Sequence, residues 1–345
     1  MRTRGNRAAA RSLAPGVSSY LSPLLSRPGA VAAAAADLGV AWHYGDPFRE
    51  QRALATSGAV VDRSHRDVLA VSGPDRCSWL HTITSQHLSE LAPWVGTEAL
   101  VLSPHGHVEH HLQVIDDGTT TWLDVEPGTA QSLMSYLDSM RFMLRVAVSV
   151  VESRALVTVV GDVAAEMSSG PRPDGDGWVR RRDSPGAAAA DLLVPRDALD
   201  ESVDALGLPL AGTWAFEALR VEAGRPRLGL DTDHRTIPHE VGWIGSAVHL
   251  DKGCYRGQET VARVQNLGRP PRRLVRLHLD GSAERLPGAS SALELDGRAV
   301  GFVGTSARHY ELGPIALGLV KRGTPDEAVL TCDGISASLE RVVDA

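Results

Sequence analysis

Residues 252–268 read Lys252-Gly253-Cys254-Tyr255-Arg256-Gly257-Gln258-Glu259-Thr260-Val261-Ala262-Arg263-Val264-Gln265-Asn266-Leu267-Gly268. Lys252 and Lys321 are the only lysines in a chain that otherwise uses arginine as its cation, and Cys254 is one of three cysteines. Gly253 and Gly257 permit left-handed backbone, or a close approach of main chain to a ligand. Cys254 is the candidate reactive atom, because flanking Lys252 and Arg256 would favour the nucleophilic thiolate. Gln258 and Glu259 could orient the loop. A structural turn around a buried, inert cysteine is the competing reading, since free cysteines usually sit in cores.

Outward from this stretch, 345 residues exceed what one hydrophobic core usually serves, so two or three packed units are expected. The composition, 43% hydrophobic and 22% charged, is that of a soluble globular protein. A net charge of -7 gives no reason to expect general affinity for nucleic acid or an anionic membrane. Cys77, Cys254 and Cys332 are far apart and lack CxxC spacing. That argues against a disulfide framework and for a reducing, cytoplasmic setting. Three scattered thiols also cannot make the usual four-cysteine iron–sulfur site. No apolar run approaches a membrane span of about 20 residues. Residues 1–36 contain no acid and mix arginine with Ala, Ser, Pro and Gly. They are expected to be a disordered or wrongly assigned tail, with an organellar transit peptide as the alternative.

Ordered sequence is expected from about Asp37. Val60–Asp62 and Val68–Val71 read as short strands around a polar turn, and Gly73-Pro74-Asp75 opens a helix. Leu100–Leu102, Val108–Ile115 and Thr120–Val125 read as strands, Pro127–Arg141 as a helix, and Arg145–Val151 and Leu156–Val160 as strands. Residues 170–186, rich in Pro, Gly, Asp and Arg, read as a surface loop or an inter-lobe excursion. Arg196–Leu206 is a short helix, and Thr213 could cap another running to Ala223. Beyond Pro270-Pro271, six apolar or alternating runs between Gly and Asp turns predict a small all-β barrel. The units are therefore 1–36 as a tail, 37–270 as a core of two interleaved α+β lobes, and 271–345 as the barrel.

Leu219-Arg220-Val221-Glu222-Ala223-Gly224 places Glu222 in the last turn of its predicted helix. A carboxylate there opposes the helix dipole, at about 0.3–1 kcal/mol when exposed. One carboxylate can accept two parallel N–H donors, such as those on one edge of a flat heterocycle. A surface ion pair with Arg220 or Arg225 is the structural alternative. Asp231 and Asp233, two apart in Gly229–Glu240, could bind a metal, but turn capping fits Asp better. Arg263, Arg269, Arg272 and Arg273 form a local basic cluster that could grip a carboxylate tail or simply face solvent. His107, Glu109 and His111 would share one strand face and could in principle ligate a metal, though nothing else supplies a second shell.

Taken with the 252–268 stretch, these segments resemble the signature of the YgfZ-type folate-binding proteins, relatives of the glycine-cleavage T-protein (aminomethyltransferase). Val61–His65, Val71–Asp75, Gly301–Ser306 and Ile315–Gly318 extend the resemblance from about residue 40 to the end, apart from the 170–186 loop. It implies an α+β fold, a three-lobed cloverleaf of the T-protein/YgfZ type around a central folate channel, closed by a C-terminal small β-barrel. It implies tetrahydrofolate or another reduced folate as cofactor. The implied role is assistance to assembly or repair of iron–sulfur enzymes, with cluster-assembly proteins or client cluster enzymes as partners. By this resemblance Glu222 seats the pterin, with Arg220, Tyr255, Gln258, Glu259 and Arg263 as further folate contacts. Cys254 and Lys252 are the catalytic candidates, either the thiol or the folate accepting a one-carbon or oxidised species. The T-protein's aspartate pair is replaced here by His110 and His111, which lack a fixed negative charge for an iminium-like centre. Aminomethyl or methyl transfer to folate is therefore a rival reading, as is a non-catalytic folate-binding scaffold.

Overall fold

The computed structural model describes residues 20–182 and 186–343. Its organisation turns on a four-residue crossover. Strand Ala59–Asp62 pairs antiparallel with Arg154–Val160, whereas Asp67–Ser72, just after it, pairs with Thr120–Val125 and Ala147–Val150. The two strands expected to flank a turn thus belong to different sheets. Arg63–Arg66 carry the chain between those sheets and are buried there. Buried main chain needs internal partners. Accordingly Arg63 N–H donates to the Leu156 carbonyl and Ser64 N–H to Asp62 Oδ1.

The five-stranded sheet runs Gly96–Leu102, Val108–Asp116, Thr120–Val125, Asp67–Ser72, Ala147–Val150. Helices Arg76–Ile83 and Ala130–Ser139 cover it, burying Trp79, Leu80, Leu133 and Leu137 against Leu69, Leu112 and Leu123. Full burial of each such side chain stabilises the fold by about 1.5–3 kcal/mol. The six-stranded sheet runs Gly170–Pro171, Trp178–Arg182, Ala189–Pro195, Arg154–Val160, Ala59–Asp62, Leu210–Ala211. The first lobe's chain is inserted between strands of the second, so the lobes interleave. Arg272–Leu279, Gly313–Lys321, Arg298–His309, Ala292–Leu295, Val329–Cys332 and Ile335–Arg341 close a six-stranded antiparallel barrel in that order. The mixed α+β fold with a terminal barrel is as expected from the sequence.

Four expectations need correction. Described structure begins at Tyr20, not near Asp37. A 3-10 turn spans Pro23–Ser26, and Ser22 Oγ donates to buried Asp62. Only residues 1–19 of the supposed tail lie outside the described residues. The 170–186 stretch is not simply a surface loop, because Trp178–Arg182 is an inner strand of the six-stranded sheet. Its three consecutive arginines hid a strand in which alternate guanidinium groups meet acids. Residues 183–185 of that stretch lie outside the described residues. Finally, Gly212 and not Thr213 precedes the helix Thr213–Glu222, and Gln258–Leu267 is a helix that the loop-like octet did not suggest.

Candidate ligand-binding site

Where the two sheets and helix Thr213–Glu222 meet there is a half-open cavity. Its lining is mixed: Leu156, Val160, Ala187, Ala189, Phe216 and Leu219 are apolar, and Arg63, Arg66, Arg182, Arg225 and Arg227 stand with Asp124, Glu126 and Asp191 among them. Position follows from the fold. Arg63 and Arg66 sit on the inter-sheet crossover. Asp124 is on a strand of one sheet, and Asp191 is on a strand of the other. Arg225 and Arg227 follow the C-terminus of the Thr213–Glu222 helix.

The charged side chains bind one another tightly. Arg66 donates to Asp124 at 2.8 Å and to Glu126 at 3.0 Å, and Arg227 donates to Glu126 at 2.7 Å. Arg180, cross-strand from Asp191, donates to it at 2.7 Å and to Asp124 at 2.5 Å, tying the two sheets together. Thr158 Oγ1 donates to Asp191 at 2.7 Å. Burial alone would raise Glu126, but Arg227 and Arg66 overcome it and hold the carboxylate well below its usual range.

Arg63 is different. Its side chain is buried and stacks over Phe216, 4.5 Å from the ring centroid. Among the described residues its guanidinium has no hydrogen bond and no ion pair. Burial, with repulsion from Arg66, Arg227 and Arg182, brings it down to about 9. Burial and Arg182 likewise bring Arg225 down to about 10, although Glu98 lies 3.0 Å away. A buried cation without a carboxylate is costly, so this wall is suited to an incoming acceptor or anion.

The residues expected to form the site are spread more widely. Glu222 does not line the cavity. Its carboxylate lies 3.2 Å from His309 of the barrel, and its main-chain carbonyl accepts from Arg276. Arg220 does reach the cavity but is already held by Glu217 at 2.7 Å, Asp231 at 2.8 Å and Thr305 at 2.6 Å. Cys254 is exposed and does not line the cavity either. The expectation of one pocket holding both Glu222 and Cys254 is not met.

Lys252 is a cap. Its ammonium donates to the carbonyls of His81, Thr84 and Gln86, at the C-terminal end of helix Arg76–Ile83. A cation there satisfies orphan carbonyls and meets the negative end of the helix dipole. Burial brings this lysine down to about 8. Tyr255 is buried in the apolar junction with Val241, Trp243 and Val261. Arg256 pairs with Glu109 at 3.0 Å, so neither flanking cation is free for the thiol. Gln258 and Glu259 open the Gln258–Leu267 helix, on which Arg263 is exposed. None of these lines the cavity. Gly257 is required here. Its φ is 83°, and a Cβ would lie 2.6 Å from the Ser103 carbonyl, so the octet locks onto the Ser103–Gly106 turn.

The remaining motifs also resolve into structure. Asp231 caps, accepting from the Arg227 and Thr305 N–H groups at 2.8 and 2.7 Å. Arg272 is held by Asp233 and Glu240, and Arg273 by Asp326, so the basic cluster is largely spoken for. On the histidine strand, His111 pairs with Glu98 at 2.9 Å while Glu109 turns to Arg256. Among the described residues no three His, Cys, Asp or Glu side chains are grouped to hold a metal ion. No described helix is long and apolar enough to cross a membrane.

Sequence reasoning missed Arg63, Arg66, Asp124, Asp191 and Arg227. A signal was present for two of them, because Asp124 in Thr120–Val125 and Asp191 in Ala189–Pro195 are lone acids within otherwise apolar or uncharged strands.

The fold is that of the glycine-cleavage T-protein class. The aminomethyltransferase T of the glycine cleavage system from Bartonella henselae superposes with a TM-score of 0.80 at 20% identity, covering 92% of this chain and 94% of that one. The tRNA-modifying protein YgfZ of Edwardsiella ictaluri is 30% identical over 325 residues, 86% of this chain and 93% of that protein. The chain belongs to the YgfZ family of T-protein relatives. The aminomethyltransferase of Chromobacterium violaceum is 25% identical over 222 residues, 58% of this chain and 61% of the enzyme. A chloroplastic relative from Arabidopsis thaliana is 27% identical, with 74% of this chain matched to 65% of that one. The chain thus spans under two-thirds of those last two proteins. No family model matches it.

Proposed function

We propose that the protein binds a reduced folate, with the pteridine in the central cavity, and that it serves iron–sulfur enzymes in the cytoplasm. The observation that carries this reading is the mixed lining of the cavity, apolar side chains interleaved with paired arginines and carboxylates. A pteridine is flat and apolar on its faces, which suits Phe216, Leu156 and Val160. Its edge carries both donors and acceptors, which suits the arginines and carboxylates of the same lining. Arg63, stacked on Phe216 without an acceptor among the described residues, provides forked donors for a ligand oxygen. Glu126 and Asp191 are the wall carboxylates that could accept from the ring N–H and amine, in place of the expected Glu222. When bound, a reduced folate supplies one-carbon carriage and a readily oxidised ring.

The chain's own contribution would be to bind and orient that ring and to shield it from water. Cys254 is exposed and would act at the surface, outside the cavity. Relatives named for tRNA modification fit the same reading where the client is an iron–sulfur enzyme that acts on tRNA. True aminomethyl transfer is less well supported. His110 and His111 stand at the positions that the resemblance gives to the T-protein's aspartate pair, and burial brings His110 down to about 4, leaving it neutral.

The test combines calorimetric titration of tetrahydrofolate into the purified chain with iron–sulfur enzyme activities in a strain lacking it. Saturable binding and depressed cluster-enzyme activity, restored by the wild-type chain, are expected. Absence of saturable binding would sink the folate reading. Normal cluster-enzyme activities in the deletion strain would sink the client reading.

A further inference from the structure

Strand Ala147–Val150 is an outer edge of the five-stranded sheet and pairs only with Asp67–Ser72. Just beyond it, Val151 N–H donates to the Val68 carbonyl at 2.8 Å. The alternation of an antiparallel pair therefore turns the main-chain N–H and C=O groups of Val148 and Val150 away from the sheet. No described strand lies on that side. Natural edges are usually blunted by a proline, a lysine or a bulge, and Ala147-Val148-Ser149-Val150 has none of these. Immediately before the strand, Phe142 and Met143 are 85% and 91% exposed, with Met140 and Leu144 exposed beside them. This apolar tip is anchored. Trp79 Nε1 donates to the Met140 carbonyl at 3.0 Å, Leu144 N–H to the Arg141 carbonyl at 3.0 Å, and Arg145 N–H to Asp75 at 2.8 Å. At the other end of the strand is a half-open groove of mixed lining, whose apolar members are Tyr20, Val68, Val150 and Val151.

Charge gives the edge a direction. Arg141 and Arg145 stand at its N-terminal end, both exposed and each held by one acid, Asp138 at 3.8 Å and Asp75 at 2.8 Å. Glu152 stands at its C-terminal end, and its exposed carboxylate has no hydrogen bond or ion pair among the described residues.

We infer that this edge pairs with the same edge of a second copy of the chain. Antiparallel pairing about a two-fold axis joins Val148 and Val150 of one copy to Val150 and Val148 of the other, merging the two five-stranded sheets. It lays the arginine end of each copy beside Glu152 of the other, whereas a parallel approach would set like charges together. It also carries Phe142 and Met143 of each copy to the groove at Val150 and Val151 of the other. A second copy is favoured over a strand of another protein because this chain supplies both halves of each contact, tip and groove, cation and acid.

The test is analytical ultracentrifugation of the full chain over a range of concentrations, for wild type, Phe142→Ser and Val150→Pro. A four-residue edge with one apolar tip per copy is a small interface, so a dissociation constant on the order of 10 μM is expected. Well above that concentration wild type should approach twice the mass of one chain. Phe142→Ser alters only an exposed side chain and should raise the dissociation constant about tenfold or more. Val150→Pro removes an N–H that the single chain does not use, so it should keep a wild-type melting temperature yet stay monomeric. If proline lowers the melting temperature, Phe142→Ser alone decides. Wild type that stays monomeric throughout would overturn the pairing and leave the edge to a strand of another protein or to solvent. A dimer that Phe142→Ser leaves unchanged, or that folded Val150→Pro still forms, would place the interface elsewhere and overturn it too.

Discussion

Replacing Arg63 by methionine should make the ligand-free protein more stable and its ligand binding weaker. Arg63 is buried beside three other arginines and falls to about 9 from its ordinary 12.5. A drop of that size corresponds to roughly 5 kcal/mol against the charged form. Stacking on Phe216 recovers about 2 kcal/mol. Methionine is close in length, keeps the ring contact and removes the charge. The net gain is therefore on the order of 1–3 kcal/mol, which raises the melting temperature by roughly 2–4 °C per kcal/mol. Losing a charged hydrogen bond to the ligand works the other way, by about 1.5–3 kcal/mol, or roughly ten- to hundredfold in affinity. Differential scanning fluorimetry with and without saturating tetrahydrofolate reads both effects. Ligand should raise the melting temperature of wild type by more than that of the variant. If Arg63→Met melts several degrees lower and still binds tetrahydrofolate normally, Arg63 is a structural cation and its link to the ligand is wrong.

Two other substitutions separate structural from functional roles. Lys252→Met leaves three carbonyls at a helix end without their donor and should cost roughly 2–3 kcal/mol, read as a lower urea midpoint and faster amide exchange at the end of helix Arg76–Ile83. Unchanged stability with lost function would instead return Lys252 to a catalytic role. His110 is buried and neutral down to about 4, against its ordinary 6.5. Between those pH values the unfolded chain binds a proton that the folded one does not, so stability falls as pH falls through the window, by roughly 3 kcal/mol. His110→Leu should flatten that part of the urea-midpoint profile, and an unchanged slope would show that His110 is not its source.

The barrel and most strands were legible because their apolar runs are bounded by Gly, Pro and Asp turns. Helix Thr213–Glu222 could be read for the same reason, with apolar residues spaced for one face and Gly224 at its end. Trp178–Arg182 could not be read. Arginines inside a sheet look like a loop until Asp191 and Asp124, distant in sequence, are seen opposite them. The octet misled in a related way. Lys252, Tyr255 and Gly257 are distinctive because they fit against the Arg76–Ile83 helix end, the inter-lobe core and the Ser103–Gly106 turn. Their sequence pattern marked a junction of lobes. The wall of the central cavity instead comes from residues whose neighbours in sequence are ordinary, and only the crossover at Arg63–Arg66 brings them together.

If the pteridine lies in the central cavity, a crystal of the full chain soaked with a reduced folate will show it there. Difference density for a flat ring between Phe216 and the Arg66–Glu126–Arg227 wall, with a ligand oxygen within hydrogen-bonding distance of Arg63, is the predicted result. Density at another site, or an empty central cavity at saturating folate, would contradict it.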